Sequence, residues 1–428
     1  MVILPYFPRL KPGTCVPVSA GCSLSAPAGY IFVCMEHIGL VGLPNSGKTS
    51  LFNAATGSNA LTGRHPFTTT ESAVGIAHVP DSRLDALATM SNSRKVVYTG
   101  VELADIAGLV KGSSEGSGLG NRFLAGIREV DALCMVLRAF DDPEIPGEAD
   151  PVEALSILEI ELAMADLASL EVQLERRRKS LKSKKPDNAT EAEITAMEEA
   201  YEFLSSGVPL YRSIPNDDLL KGVVSAGLSG GVVSAGSSSQ EKNSPATAAI
   251  NAREARKGMF LLTDKPMFCV INIGEGDIGN SSEMVDRVQT YLGGSGNVVA
   301  VCVQLEMEAA QLPPDERAEM LEGLGLGEVA LSMVAHQAYA MLNRWTFLTT
   351  GDKESRAWSF RAGSTAPECA GVIHSDLQRG FIRAEVVNWK VLLDAGSWSN
   401  ARHNGLIRLE GKDYLVQDGD VIEVRFNV

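Results

Sequence analysis

The sequence predicts an α/β protein in three parts: a parallel sheet with helices on both faces, a helical hairpin inserted into it, and a β-rich module at the end. Three observations carry this. The run HIGLVG from His37 is a short apolar strand that passes straight into a glycine-rich loop and then into SLFNAATG, which has helical character. Apolar strands and helical stretches keep alternating after it, with strands ending near Asp105 and spanning 132–140 and 267–272, as a parallel sheet requires. Between the last two lies a run of helix formers. Leu155, Leu158 and Leu162, then Leu167, Leu170 and Leu174, recur there at three- to five-residue spacing.

Taken in order, residues 1–35 are read as an extension outside the fold. The first 34 hold no Asp or Glu, carry only Arg9 and Lys11, and are rich in Pro, Ser and Ala. A targeting peptide and an upstream start ahead of Met35 both fit. Residues 36–141 are the first part of the sheet domain. Helices are expected over 152–182 and 191–204, with a turn at Lys185-Pro186-Asp187-Asn188, giving an antiparallel hairpin within 142–258. The basic run RRRKSLKSKK (176–185) lies at its tip, read first as a solvated helix end and second as an RNA contact. In 222–243, GVVSAG occurs twice in a Gly/Ser-rich stretch, the pattern of a flexible insertion. The sheet domain resumes over 259–344, with MFCVIN (267–272) and NVVAVCVQL (297–305) as strands. From 345 onward come short strands such as GFIRAEVV and DYLVQ, with turns at Asp394-Ala395-Gly396 and Asp418-Gly419-Asp420.

The 428 residues allow two to four domains and a substantial core. With 45% hydrophobic and 21% charged residues the composition is that of a globular protein. A net charge of -15 argues against generic nucleic-acid binding through a basic surface, though not against a local patch. The seven cysteines form no CxxC pair, so neither a zinc site nor a disulfide framework is indicated. No apolar run approaches the ~18–20 residues that span a bilayer. A cytoplasmic monomer without membrane contact is expected.

Chemistry enters with GLPNSGKT (42–49), which fits GxxxxGK[ST] between a strand and a helix. Loop N–H groups cradle phosphate oxygens at the positive end of the following helix. Lys48 is placed on the β and γ phosphates and the Thr49 hydroxyl on Mg²⁺. Asp105-Ile-Ala-Gly108 supplies an acid at a strand end for Mg²⁺, with the Gly108 amide toward the γ phosphate. Between them His65-Pro-Phe-Thr-Thr-Thr70 offers a threonine, Thr69, to complete the Mg²⁺ shell. The glycines of GSSEGSGLGN (112–121) miss the dinucleotide spacing and read as a mobile switch loop.

GTP-binding proteins of this kind carry Asn-Lys-x-Asp after a later strand, and the chain has none. It has Asn272-Ile273-Gly274-Glu275 behind the apolar run MFCVI. NxxE recurs at Asn188, Asn251 and Asn280, but only Asn272 follows a buried strand. An Asp in that place accepts from guanine N1–H and the 2-amino group. Adenine has neither donor, so the longer Glu275 removes the guanine-specific contact. Asn272 can still bond a purine edge, with the Ile273 backbone nearby.

The blocks GLPNSGKTSLFNA, PFTTTE, DIAGLVKGSSEGSGLGNRFLAGIREVDA and GVIHSDLQRGFIRAE…GKDYLVQDGDVIEVRFNV resemble the YchF/Obg-like ATPase family, in the Obg branch of phosphate-loop GTPases. The likeness covers roughly 36–428 apart from the Gly/Ser stretch. It implies a P-loop NTPase domain, a coiled-coil hairpin and a C-terminal TGS domain of β-grasp fold. It implies nucleotide contacts from Asn45, Ser46, Gly47, Lys48, Thr49 and Ser50, and from Phe140, Asn272, Ile273 and Glu275. Metal contacts fall to Thr49, Thr69 and Asp105, and the hydrolytic roles to Lys48 and Gly108. In this family NxxE goes with a preference for ATP.

Two departures stand out. The family commonly has GKST where this chain has Gly47-Lys48-Thr49-Ser50, a swap that keeps a hydroxyl for Mg²⁺. Some bacterial members carry a histidine in the loop after the RxF strand, whereas FDDPEIPGEAD (140–150) has none. The expected activity is Mg²⁺-dependent hydrolysis of ATP to ADP and phosphate by a switch associated with ribosomes. A potassium ion near Asn45 could add to the charge stabilisation. A GTPase, a dual-specificity NTPase, and a ribosome- or RNA-binding adaptor with a structural nucleotide site are the alternatives.

Overall fold

The computed structural model describes residues 37–57, 73–106, 118–143, 145, 149–181, 188–213, 256–294, 297–313, 316, 319–320 and 330–427. Seven strands lie in the first half of the architecture and its return: β1 (His37–Val41), β2 (Ala73–Val79), β3 (Val96–Val97), β4 (Thr99–Asp105), β5 (Ala132–Ala139), β6 (Met267–Ile273) and β7 (Val298–Val301). All but β3 form one sheet in the order β2-β4-β1-β5-β6-β7. The pairs β1–β4, β1–β5, β5–β6 and β6–β7 are parallel. The edge strand β2 corrects the expectation of a wholly parallel sheet, because it runs antiparallel to β4. The helix between β2 and β4, Ser82–Met90, packs in the core of the other sheet instead of crossing over this one, so the chain returns beside itself in the opposite sense.

Side-chain alternation explains why both faces are covered. Leu133, Met135 and Leu137 point to one side with Cys269 and Ile271, while Cys134 and Val136 point to the other with Phe268 and Val270. The first side takes α3 (Gly118–Glu129) through Phe123 and Ile127, and α4 (Pro151–Leu181) through Leu155, Leu158 and Leu162. The second takes α1 (Lys48–Thr56) through Leu51 and Phe52. Gly118 to Asn121 already belong to α3, so the glycine-rich loop expected over 112–121 ends earlier than its composition suggested.

The hairpin is α4 with α5 (Asn188–Ser205), packed through Leu170, Leu174, Met197, Ala200 and Leu204. Its root is fixed by Asp166. This buried carboxylate accepts from the Leu262 and Thr263 amides at 2.8 Å each and from the Thr263 hydroxyl at 2.6 Å, just ahead of β6. At the far end Arg177 and Arg178 bond Glu193 and Glu198 of α5 at 2.6 and 2.5 Å. Lys179 pairs with Glu175 at 2.6 Å, and residues 182–185 of the basic run lie outside the described residues.

After β6 come a 3₁₀ turn at Glu275–Asn280 and the helices α6 (Ser281–Tyr291), α7 (Val303–Ala309) and α8 (Ala330–Met341). The apolar run 297–305 is therefore not one strand: β7 stops at Val301 and Val303 opens α7.

The second sheet holds β8 (Arg344–Thr349), β9 (Ser355–Arg361), β10 (Phe381–Asn388), β11 (Arg408–Glu410) and β12 (Asp420–Phe426). Its order is β11-β10-β12-β8-β9-β3, with β8 and β12 parallel at the centre, as in a β-grasp. Helix α9 (Ala366–Ile373) covers one face through Ala366, Cys369 and Ala370, packed with Phe347, Phe360 and Val386. DYLVQ is not a strand. Its one β-bridge among the described residues, Leu415 to Thr365, lies outside the named strands and joins it to the start of α9. No helix among the described residues is long and apolar enough to cross a membrane.

Candidate nucleotide site

The site forms where the carboxyl ends of β1, β4, β5 and β6 converge, the place in an open α/β sheet at which ligands bind. From Val41 the chain turns through Gly42–Gly47 into α1. Asn45 adopts φ 61° and Gly47 φ 89°, left-handed backbone that asparagine tolerates and glycine favours. Space as well as torsion demands the glycines. A Cβ on Gly47 would lie 2.1 Å from Asn272 Nδ2, and one on Gly42 would lie 2.5 Å from the Val136 carbonyl and 2.6 Å from Ser46 Oγ. Ser46 is buried, and Ser50 lies half-buried two positions past Lys48.

Lys48 is 8% exposed, and its ammonium donates to the Leu43 carbonyl at 3.3 Å. Burial pushes its pKa down to about 8, with the Asp105 carboxylate only partly offsetting that cost. The Thr49 hydroxyl donates to Asp105 Oδ2 at 2.7 Å. Burial raises the Asp105 pKa against the opposing effects of that bond and of Lys48. Asp105 Oδ1 and Ser46 Oγ are buried with no hydrogen-bond partner among the described residues. Unpaired buried oxygens on an acid and a hydroxyl, beside a buried ammonium, suit a cation and phosphate that would satisfy them. The donor set fits Mg²⁺, which takes oxygen ligands and few from protein. Thr69 and Gly108 lie outside the described residues.

Across the loop from Lys48, Asn272 is the last residue but one of β6 and is 5% exposed. Its Nδ2 donates to the Ser46 carbonyl at 3.1 Å and its Oδ1 accepts from the Val303 amide at 3.3 Å. It thus ties the phosphate loop to the start of α7. Ile273 is buried in the sheet core, so it can offer a ligand only its backbone. Glu275 is exposed at the head of the 3₁₀ turn. Phe140 comes close to the same loop, its Cβ 3.6 Å from a Cβ built on Gly274. Arg138 holds that segment: its Nε donates to the Phe140 carbonyl at 3.0 Å and its guanidinium lies 5.4 Å from the Phe140 ring centre. The structure therefore brings together Lys48, Thr49 and Asp105 on one side and Asn272, Ile273, Glu275 and Phe140 on the other.

Sequence reasoning missed Val303 and Arg138. The helix formers Gln304-Leu305-Glu306-Met307-Glu308 signal the end of β7, and Arg138 is the polar residue in an otherwise apolar strand.

A glycine loop between strand and helix, a buried lysine, an acid–hydroxyl pair and a base-side loop on a neighbouring strand define a P-loop nucleotide-binding protein. Residues 37–177 match the family described as 50S ribosome-binding GTPase, and residues 345–427 match the YchF GTPase C-terminal family, described as a protein of unknown function. The Ribosome-binding ATPase YchF of Bacillus subtilis is 41% identical over 397 residues, covering 91% of this chain and 99% of that protein. The protein of the same name in Escherichia coli O157:H7 is 36% identical over 394 residues, covering 91% and 99%. The solved Schizosaccharomyces pombe YchF GTPase superposes with a TM-score of 0.70 at 28% identity, covering 94% of this chain and 99% of that one. The chain belongs to the YchF family.

Proposed function

We propose that this chain is a Mg²⁺-dependent ATPase of the cytoplasm that hydrolyses ATP to ADP and phosphate as a nucleotide-dependent switch on ribosomes. The observation that carries the reading is the pairing of an intact Lys48, Thr49 and Asp105 set with a base-side loop lacking the guanine-reading aspartate. Ribosome binding rests on the names of the relatives, and the Obg branch and the TGS assignment of 345–428 rest on sequence likeness. A GTPase is the second reading, favoured by the description of the Schizosaccharomyces pombe protein.

Thr49 and Asp105, joined by Thr69, would hold Mg²⁺, which would neutralise charge on the phosphate oxygens when bound. Ser46, Gly47 and the first amides of α1 would cradle the phosphates, and Lys48 would balance the charge that grows on them. Gly108 would present its amide to the γ phosphate. Asn45 and Ser50 would border the phosphates, and Asn272, Glu275, Phe140 and the Ile273 backbone would surround the base.

Paired titrations of labelled ATP and GTP with Mg²⁺ test the base. Wild type is expected to hold ATP more tightly. Glu275→Asp combined with Gly274→Lys is expected to move the ratio toward GTP by roughly tenfold to a hundredfold. Position 274 can accept the change, because its backbone is extended and a Cβ there meets only Asp277 and Phe140. Ile273→Lys is unsuitable, since it would bury an ammonium in the core. Tighter GTP binding by the wild type would remove the basis for the ATP reading.

Turnover is expected to be far below the ~10 s⁻¹ typical of enzymes. The residue after DxxG is Leu109, which cannot orient a water as glutamine does in Ras-type GTPases. Single-turnover assays with and without ribosomes, in K⁺ and in Na⁺, measure this. Fast hydrolysis by the protein alone would assign the water to another residue, and equal rates in both salts would discard the potassium ion at Asn45.

Co-sedimentation with ribosomes is expected to fall as salt rises, and charge reversal at Arg177 and Lys184 is expected to weaken it, most at low salt, while leaving ATP turnover unchanged. Arg177, Arg178 and Lys179 pair with Glu193, Glu198 and Glu175, but as solvent-facing pairs that contribute little and that a phosphate can displace. Undiminished co-sedimentation would move the contact elsewhere.

A further inference from the structure

The chain between β2 and β4 makes an excursion over residues 80–98 that is built into the other sheet. Leu84 and Leu87, in α2 (Ser82–Met90), are fully buried in one core with Leu348, Val387, Leu392 and Val421. Strand β3 pairs in parallel with β9, Val96 opposite Ser355 and Val97 opposite Arg356. Main-chain bonds flank it, from Arg94 N to the Asp352 carbonyl at 3.1 Å and from Ser355 N to the Lys95 carbonyl at 2.9 Å. Arg83 closes the joint. Its Nε and Nη2 bond Asp81 at 2.9 and 2.8 Å, and its Nη1 bonds Asp418 Oδ2 at 2.6 Å. Asp418 Oδ1 in turn accepts from the Thr346 amide of β8 at 2.8 Å.

The opposite ends of these two strands stand at the nucleotide site. Asp105, the last residue of β4, faces Ala73, the first of β2, and the ladder runs unbroken from that pair to Val79 opposite Thr99. Seven paired residues make a rod of roughly 20 Å. One end carries the carboxylate beside Thr49, and the other continues into the core of the second sheet.

We propose that this excursion is a lever through which the C-terminal module reads the nucleotide state, with Arg83 as a positioning residue at its joint. The inference rests on the nucleotide-switch reading above. A paired ladder transmits a shift at Asp105 along its length, and close-packed cores answer by repacking rather than by yielding. The coupling is reciprocal: whatever engages the C-terminal module must alter the relative affinity for ATP and ADP.

Hydrogen exchange on the full chain, with Mg²⁺ and either ADP or a non-hydrolysable ATP analogue, tests it. Peptides covering 82–98, β9 and β12 are expected to differ severalfold in exchange rate between the two states. In Arg83→Ala that difference is expected to shrink in β9 and β12 while the response of 42–57 persists, and the ratio of ATP-analogue to ADP affinity is expected to change by roughly fivefold. Asp418→Asn is the milder variant. It keeps an oxygen for the Thr346 amide and leaves the Arg83–Asp81 fork intact, so it separates lost coupling from lost folding. C-terminal peptides that exchange identically in both states, while 42–57 responds, overturn the lever and leave the nucleotide reading standing. Silence of 42–57 toward both nucleotides overturns the nucleotide reading, and the lever with it.

Discussion

Replacing Lys48 by methionine is expected to abolish tight triphosphate binding and, without nucleotide, to make the fold more stable. The ammonium is almost wholly buried, and burial outweighs the attraction of Asp105, so its pKa falls from an ordinary 10.5 to about 8. Well below pH 8, both folded and unfolded chains carry the charge and the folded one bears the full cost, of order 3 kcal/mol at most. As pH rises from about 8 toward 10.5 the folded lysine loses its proton first. Stability of the nucleotide-free protein therefore climbs across that window. Methionine keeps the apolar stem, removes the charge, and should gain about 1–3 kcal/mol at pH 7 with no rise of its own above pH 8. Triphosphate affinity should fall on the order of a hundredfold or more, since charge-assisted contacts in a dry site are the strong ones. Urea unfolding at pH 7 and 9.5, beside titration with a labelled ATP analogue, measures both. A methionine variant less stable than wild type at pH 7 would show that the contacts with Asp105 and Leu43 exceed the burial cost.

The phosphate loop, Asp105 and Asn272 could be read from the sequence because their chemistry needs fixed residue types at fixed spacing behind apolar strands. The hairpin could be read for a similar reason, since leucines at helical spacing leave little choice of partner face. What could not be read depends on pairing between distant segments. Nothing in AVGIAHV tells whether it lies parallel or antiparallel to its neighbour, which the excursion over 80–98 decides. Nor does SRLDALATM reveal that Leu84 and Leu87 serve the core of a sheet some 250 residues further on. In NVVAVCVQL a continuous apolar run cannot separate strand from helix. The division falls at Cys302, where Asn272 captures the next amide. DYLVQ alternates like a strand, yet Tyr414 and Gln417 are drawn to Asp420 instead: the tyrosine hydroxyl and the Gln417 amide bond its carboxylate at 2.7 and 2.9 Å.

Asn272→Ala is expected to weaken ATP and GTP alike, which distinguishes it from any change at Glu275. Read from sequence, Asn272 is a contact for the purine edge. In the folded chain both ends of its amide already work within the protein, on the Ser46 carbonyl and the Val303 amide. Truncation leaves those two buried main-chain groups unpaired, at about 1–3 kcal/mol each where water cannot reach them. It also removes the brace packed against Gly47, where a Cβ would run into the asparagine amide. The phosphate loop then loses its fixed geometry whatever the base, and preorganisation is what makes such a loop bind. The expected loss is on the order of thirtyfold to a thousandfold for ATP, GTP and inorganic triphosphate together, with the ATP-to-GTP ratio nearly kept. Asn272→Asp should lose at least as much. One oxygen can still accept from Val303, but the other meets the Ser46 carbonyl with no proton to donate and sets a buried negative charge beside the phosphate loop. Competition titrations with the three ligands decide the matter. Loss confined to the nucleotides, with inorganic triphosphate binding untouched, would return Asn272 to the role of base reader alone.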